Sequence, residues 1–157
     1  MNLGRIMVIV GLAGVAGLGY AAYQGWRGFG EDDIQAHVLA ALVPLLVSVL
    51  AQSWICFYLV GTRRLLVTAA AARGQAVSDL LVHLAGRTLA PILVGLAAGF
   101  ATFVLGASAY AGWAQPSWHV AMFVFAVVVQ SWAAVASWRA LGAVETTLGE
   151  LEPESAR

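Results

Sequence analysis

Two histidines and two glutamines are the side chains best suited to chemistry in this sequence. His37 and His119 each open a long apolar stretch, and Gln52 and Gln130 lie deeper in the same two stretches. Two histidines on opposed helices of a membrane bundle can ligate a b-type haem iron, or another metal, through neutral imidazole. Buried amides can instead line a pocket for a quinone, a lipid or a small substrate.

Each of these residues also has a simpler interpretation. A histidine in the first turn of a spanning helix lies near the membrane surface, where it bonds to water or to helix-end groups. A buried glutamine hydrogen-bonds to a neighbouring helix, which contributes about 0.6–2 kcal/mol. We therefore predict no catalytic residue, no metal site and no bound cofactor, and we keep haem b held by His37 and His119 as the alternative.

The composition limits what kind of protein could position these side chains. The chain has 157 residues, of which 61% are hydrophobic and 10% are charged, and eight arginines balance eight acidic residues. Soluble domains carry about 25% charged residues, so a soluble enzyme, a disordered chain and a charge-driven nucleic-acid binder are all excluded. One cysteine, Cys56, allows no intrachain disulfide framework. A small integral membrane protein remains.

Four apolar stretches are long enough to cross a bilayer. A hydrocarbon core of about 30 Å requires about 20 residues of helix. The sequence therefore predicts a single all-α transmembrane domain over residues 1–157, with four spans at about 6–23, 36–60, 88–110 and 118–137.

The arginines predict the orientation of these spans. Arginines precede the first span, fill the loop between the second and third spans, and end the fourth span, whereas the first loop is acidic. By the positive-inside rule, both termini and the middle loop lie in the cytoplasm. We expect a multi-pass protein of the bacterial cytoplasmic membrane. A cleaved secretory signal ending near Tyr20–Ala22 is the alternative for the first span.

Matched landmarks in the two halves predict a tandem repeat of two hairpins. Tyr-x-Gly-Trp follows spans one and three at 23–26 and 110–113, and His-Val opens spans two and four at 37–38 and 119–120. Gln-Ser-Trp recurs at 52–54 and 130–132. Because both hairpins start on the same side, the repeat is parallel, with its axis along the membrane normal.

Small and polar residues predict how the helices pack. Glycines recur on one face of span one (11, 14 and 17) and in span three (95, 99 and 106). Such residues allow close helix approach, so spans one and three form the tightly packed seam, within the bundle or between protomers. Spans two and four turn a polar stripe toward protein, and Pro44 kinks span two.

The segments outside the spans have a separate pattern. Residues 65–87 form a cytoplasmic loop. Its alanine-rich part at 68–72 can continue span two, and its second part, with His83, has the apolar spacing of an amphipathic helix on the membrane surface. Residues 145–157 form an acidic, solvated tail.

These features favour a non-enzymatic structural or accessory subunit of a larger membrane complex, of respiratory or photosynthetic type. A self-assembling channel or small transporter, and an electron-transfer subunit binding haem b or quinone, are the alternatives. The expected partners are the lipid bilayer and other membrane subunits or copies of this chain, and no nucleic acid.

Overall fold

The described part of the chain forms four long helices. The structure is a computed structural model that describes residues 3–26, 33–72, 74 and 85–151. The helices are α1 (Leu3–Trp26), α2 (Asp33–Ala72), α3 (Ala90–Tyr110) and α4 (Pro116–Leu151), and a π-helical turn, Ala85–Leu89, leads into α3. The prediction of an all-helical chain with four long apolar helices is confirmed.

All four helices have the length and composition of membrane spans. The apolar segments are Leu3–Trp26, Gln35–Ala72, Arg87–Tyr110 and Pro116–Glu150, which is compatible with a multi-pass membrane protein. α2 has 40 residues and α4 has 36. At about 1.5 Å per residue these helices are about 60 Å and 54 Å long, so both are longer than a hydrocarbon core of about 30 Å.

The first hairpin packs around a proline and two glycines. The Pro44 ring of α2 lies against Gly17 of α1, where an added Cβ would be 2.7 Å from the ring Cγ. One turn away, a Cβ on Gly14 would be 2.9 Å from the Pro44 carbonyl oxygen. Any larger residue at either position would push the helices apart, so the glycines permit α2 to pass this closely while it stays helical through Pro44.

The second hairpin is closed by a short turn. α3 carries Pro91 in its first turn, directly after the π-helical turn Ala85–Leu89. The helix ends because Gly112 adopts a left-handed conformation with φ +75°. The Trp113 N–H then donates to the Ser108 carbonyl at 2.8 Å. Only residues 111–115 separate the two helices, so α3 and α4 run antiparallel side by side.

The two hairpins pack with α1 and α3 on a diagonal. α4 contacts α1 as well as α3, and α2 contacts both α3 and α4. The predicted glycine seam therefore lies inside each hairpin rather than between spans one and three. Gly11, Gly14 and Gly17 face α2, whereas Gly95, Gly99 and Gly106 face residues of α4.

One end of the bundle, which we call the arginine end, carries the first residues of α1 and the later turns of α2 and α4. There Gly4 lies against the side chains of Leu141 and Tyr58. A hydrophobic core continues through this end with Leu59, Leu66, Leu141 and Val144, all 2% exposed or less. This packing extends α2 and α4 past the predicted span ends. The opposite end, with His37 and His119, is the histidine end.

Two predicted non-membrane segments are partly helical. α2 runs to Ala72 through the first part of the predicted 65–87 loop, and α4 runs to Leu151 through the first part of the predicted 145–157 tail. The predicted amphipathic segment with His83 lies in residues 75–84, outside the described residues, as does 152–157.

Candidate functional site

His119 is fixed by the facing helix α3. Its Nδ1 lies 2.9 Å from the Thr102 carbonyl oxygen. Because a carbonyl can only accept, Nδ1 carries the proton and donates it. The ring lies against Gly106, where an added Cβ would be 2.8 Å from the ring Cε1. The absence of a side chain at Gly106 is therefore what leaves space for the imidazole.

His37 occupies the corresponding place in the first hairpin. It is half-buried in the first turns of α2 and hydrogen-bonds to the backbone of Ala21 on α1. It is also close enough to His119 for the two side chains to interact electrostatically. The fold thus brings both predicted histidines to one end of the bundle, each bonded to the backbone of its hairpin partner.

Gln130 is packed into the GxxxG face of α3. It is 2% exposed, and its Nε2 donates to the Gly95 carbonyl at 3.4 Å. A Cβ on Gly95 would be 3.3 Å from the Gln130 Cγ, and a Cβ on Gly99 would be 3.1 Å from Nε2. The two glycines provide the space that a glutamine side chain needs between helices.

Gln52 and Gln130 meet at a small cavity in the bundle centre. The cavity has a volume of about 10 Å³, and all four helices contribute to its walls. Ser137 of α4 lines it as well. The sequence does not single out Ser137, because a lone serine in an apolar helix carries no distinguishing pattern.

Several polar atoms in this interior lack a hydrogen-bond partner among the described residues. They are Gln52 Oε1, Gln130 Oε1, Ser137 Oγ and Ser48 Oγ, and each residue is 6% exposed or less. An unsatisfied buried acceptor costs about 1–3 kcal/mol. The interior therefore buries more polar atoms than the hydrogen bonds between described residues satisfy. These polar atoms are concentrated on α2 and α4, as the sequence predicted.

A charged contact ties α1 to α4 at the arginine end. Arg5 Nη2 lies 2.6 Å from Glu145 Oε2, and the guanidinium lies 5.0 Å from the ring centroid of Trp138. In the sequence, Arg5 contributes to the arginine pattern that predicts orientation, and Glu145 begins the predicted acidic tail. No sequence pattern links residues 140 positions apart, so only the fold reveals this contact.

An apolar depression lies at the same end, on the outer surface. It has a volume of about 350 Å³ and is lined by Leu3, Trp54, Phe57 and Tyr58, and we call it the aromatic groove. Phe57 is 77% exposed and Trp54 is 49% exposed. Two aromatic rings with this much free surface make the groove suitable for receiving an apolar group.

The described residues offer little basis for covalent or metal chemistry. Within the described ranges, no group of three or more His, Cys, Asp or Glu side chains could hold a metal ion. Cys56 is a free, half-buried thiol. Among the described residues, the histidine pair and the glutamine cavity group polar side chains that could hold a polar ligand, and His119 has only Nε2 left for one.

A comparison of the chain with protein-family models, with curated proteins and with solved structures gave no match.

Proposed function

We propose that the protein is a non-catalytic structural subunit of a larger membrane complex and that it binds its partner through the aromatic groove. The groove is the observation that carries the proposal. Protein interfaces are enriched in aromatic residues that fill pockets at their centres. The aromatic groove supplies both the pocket and the rings, on a surface that the described residues leave open.

The hydrogen bonds that polar side chains make inside the bundle support the same function. Gln130 bonds to Gly95, and His119 bonds to Thr102. These two polar side chains thus connect the helices α3 and α4 of the second hairpin. Many large exposed side chains of the spans are apolar or aromatic, as in Leu50, Val104 and Val128, which suits contact with lipid and with other membrane helices.

The experiment is extraction of the complex with its surrounding lipid, followed by measurement of the mass of the particle. The variant Trp54→Ala/Phe57→Ala removes the two most exposed rings of the groove. We expect wild-type protein in an assembly with other subunits and the variant released from it. The matched control, Phe125→Ala/Trp132→Ala, removes a similar pair from α4, 49% and 60% exposed, and should stay in the assembly.

Either of two results would contradict this function. One is a wild-type particle that contains this chain alone. The other is an assembly that keeps the groove variant as firmly as it keeps the α4 control.

The alternative functions receive less support. A channel through one bundle needs a continuous polar path, whereas the polar residues of α2 and α4 surround a cavity of about 10 Å³. A haem between His37 and His119 needs both imidazoles to face its iron, whereas the His119 ring lies flush against Gly106.

We also propose that the two hairpins are copies of one ancestral hairpin. Their internal contacts support this idea. Each histidine bonds to the backbone of the preceding helix, at Ala21 and at Thr102. Gly14 packs on Ser48 as Gly95 packs on Gln130.

The spacing of the matched sequence motifs supports the proposed duplication less consistently than the contacts do. The His-Val pairs are 82 residues apart, but the Gln-Ser-Trp triplets are 78 apart, and the difference is about one helical turn. If the duplication is real, homologous sequences should keep small residues at positions 14 and 95 together. Independent variation of these two positions would argue against it.

We further propose that the arginine end faces the cytoplasm of a bacterial cell, with both termini inside. Arg5, Arg63, Arg87 and Arg139 all lie toward this end of their helices, in agreement with the positive-inside rule. In a chain with Cys56→Ala, an impermeant thiol reagent should label Gln115→Cys from outside the cell. It should label Glu150→Cys only in inverted vesicles, and the reverse pattern would refute this topology.

A further inference from the structure

We propose that one ordered water molecule occupies the cavity at the centre of the bundle and bridges α2 and α4 through Gln52, Gln130 and Ser137. This inference is independent of the proposed function. It rests on the size of the cavity, on the polar atoms at its wall and on the hydrogen-bonding chemistry that would satisfy them.

The size of the cavity matches a single water molecule. Its volume is about 10 Å³, and a cavity needs about 10–15 Å³ of this kind of volume to hold one water. Gln52 is contributed by α2, Gln130 and Ser137 by α4, Val8 by α1 and Ile92 by α3. All four helices therefore line the site, and both polar second helices of the hairpins reach it.

The polar atoms at this wall need a partner. Gln52 Oε1, Gln130 Oε1 and Ser137 Oγ are buried and have no hydrogen-bond partner among the described residues. The three residues are 6%, 2% and 1% exposed. Leaving such groups unsatisfied costs free energy, whereas buried waters typically make about three hydrogen bonds to polar groups of this kind.

The hydrogen-bonding capacity of water fits the three groups. The Gln130 Nε2 donates to the Gly95 carbonyl, and this bond fixes which atom of the amide is left over as an acceptor. A water can donate one hydrogen to each amide oxygen and accept the hydroxyl hydrogen of Ser137. A bare cation would satisfy the amide oxygens but would leave that hydroxyl hydrogen without an acceptor.

Ser48 provides an internal comparison. Its hydroxyl is equally buried, at 1% exposed, and also has no partner among the described residues. Ser48 packs against Gly14 and is not among the residues that line the cavity. It therefore shares the burial and the missing partner but not the proposed water.

The direct test is magnetisation transfer from water to side chains, measured by solid-state NMR on the wild-type protein in deuterated lipid. We expect transfer to the side-chain amides of both Gln52 and Gln130 to be as fast as at residues near the membrane surface. Transfer to the backbone at Leu59, which is 2% exposed and does not line the cavity, sets the dry baseline. Glutamine signals at that baseline would overturn the proposal.

A second measurement uses unfolding. The variants Gln52→Met and Gln130→Met each remove one acceptor from the water at similar side-chain volume. If one water bonds to both glutamines, the shift in unfolding midpoint of the double variant Gln52→Met/Gln130→Met is smaller than the sum of the shifts of the two single variants. Gln130→Met with Ser48→Ala is the matched control and should be additive. Additivity in both pairs would overturn the bridge.

The ion content of the buffer separates water from a cation. We expect replacement of sodium and potassium by N-methylglucamine to leave both the NMR transfer and the unfolding midpoint unchanged. A midpoint that falls when these cations are withdrawn would mean that the site holds a cation, and the water proposal would be wrong.

Discussion

Replacing Gly14 by alanine should loosen the first hairpin, and the size of the effect follows from three distances. A Cβ at this position meets Ser48 Oγ, and it lies 2.9 Å from the Pro44 carbonyl oxygen and 3.0 Å from the Ser48 backbone nitrogen. Comfortable contact between such atoms begins near 3.5 Å, so α1 must move by about 0.5 Å. Two of the three atoms are backbone and cannot rotate away.

The expected free-energy change combines two opposing effects. Overpacking of this kind costs about 1–3 kcal/mol, while alanine favours the helix by up to about 1 kcal/mol over glycine. Gly14→Ala should therefore lower the free energy of unfolding by about 0–2 kcal/mol. Gly19→Ala is the matched control, because nothing lies within 4 Å of its added Cβ. Gly19→Ala therefore shows only the stabilisation that comes from the higher helix propensity of alanine.

The assay is reversible unfolding in mixtures of mild and denaturing detergent, followed by tryptophan fluorescence. The difference between the two variants isolates the steric contribution, and we expect about 1–3 kcal/mol in favour of Gly19→Ala. Equal stability of Gly14→Ala and Gly19→Ala would refute the close approach of α1 to Pro44 and Ser48.

Three further predictions test other contacts. Arg5→Gln should reduce the free energy of unfolding by about 0.2–1 kcal/mol, as expected for a half-exposed ion pair. This loss should be smaller at high salt, because salt screens the pair. An unchanged stability at low salt would show that the contact with Glu145 contributes nothing. Gly106→Ala should displace the His119 ring from Thr102 and change its imidazole ¹⁵N shifts, whereas unchanged shifts would mean that the ring does not rest on Gly106. Gln130→Leu should reduce the free energy of unfolding by about 0.6–2 kcal/mol through loss of the bond to Gly95. The control Gln115→Leu, at an exposed position, should have little effect. Equal losses of stability in the two variants would argue against the bond to Gly95.

The sequence could predict the spans because each depends on local composition. An apolar stretch of about 20 residues, Pro91 at the start of a helix and arginines at one end are all visible without knowing which helices are neighbours. The same holds for the polar character of α2 and α4, since Gln52 and Gln130 stand out in apolar surroundings.

The pairing of faces could not be predicted in the same way. The glycines of α1 and α3 indicated close packing but not against which helix, and the structure places them against α2 and α4. The sequence indicated that residues 68–72 could continue span two as a helix, but not that this extension is buried. Leu66, at 0% exposed, is packed in the core shared with Leu141 and Val144 of α4, and such tertiary burial leaves no local pattern.

The measurement closest to the central claim is photo-crosslinking in native membranes. A photo-reactive phenylalanine derivative placed at Phe57 samples the aromatic groove, and the same derivative at Phe125 samples the exposed surface of α4. If the groove seats a partner subunit, the probe at position 57 should give one defined adduct with a different protein, while the probe at position 125 gives lipid adducts. Lipid adducts alone at both positions would contradict the proposed role as a structural subunit.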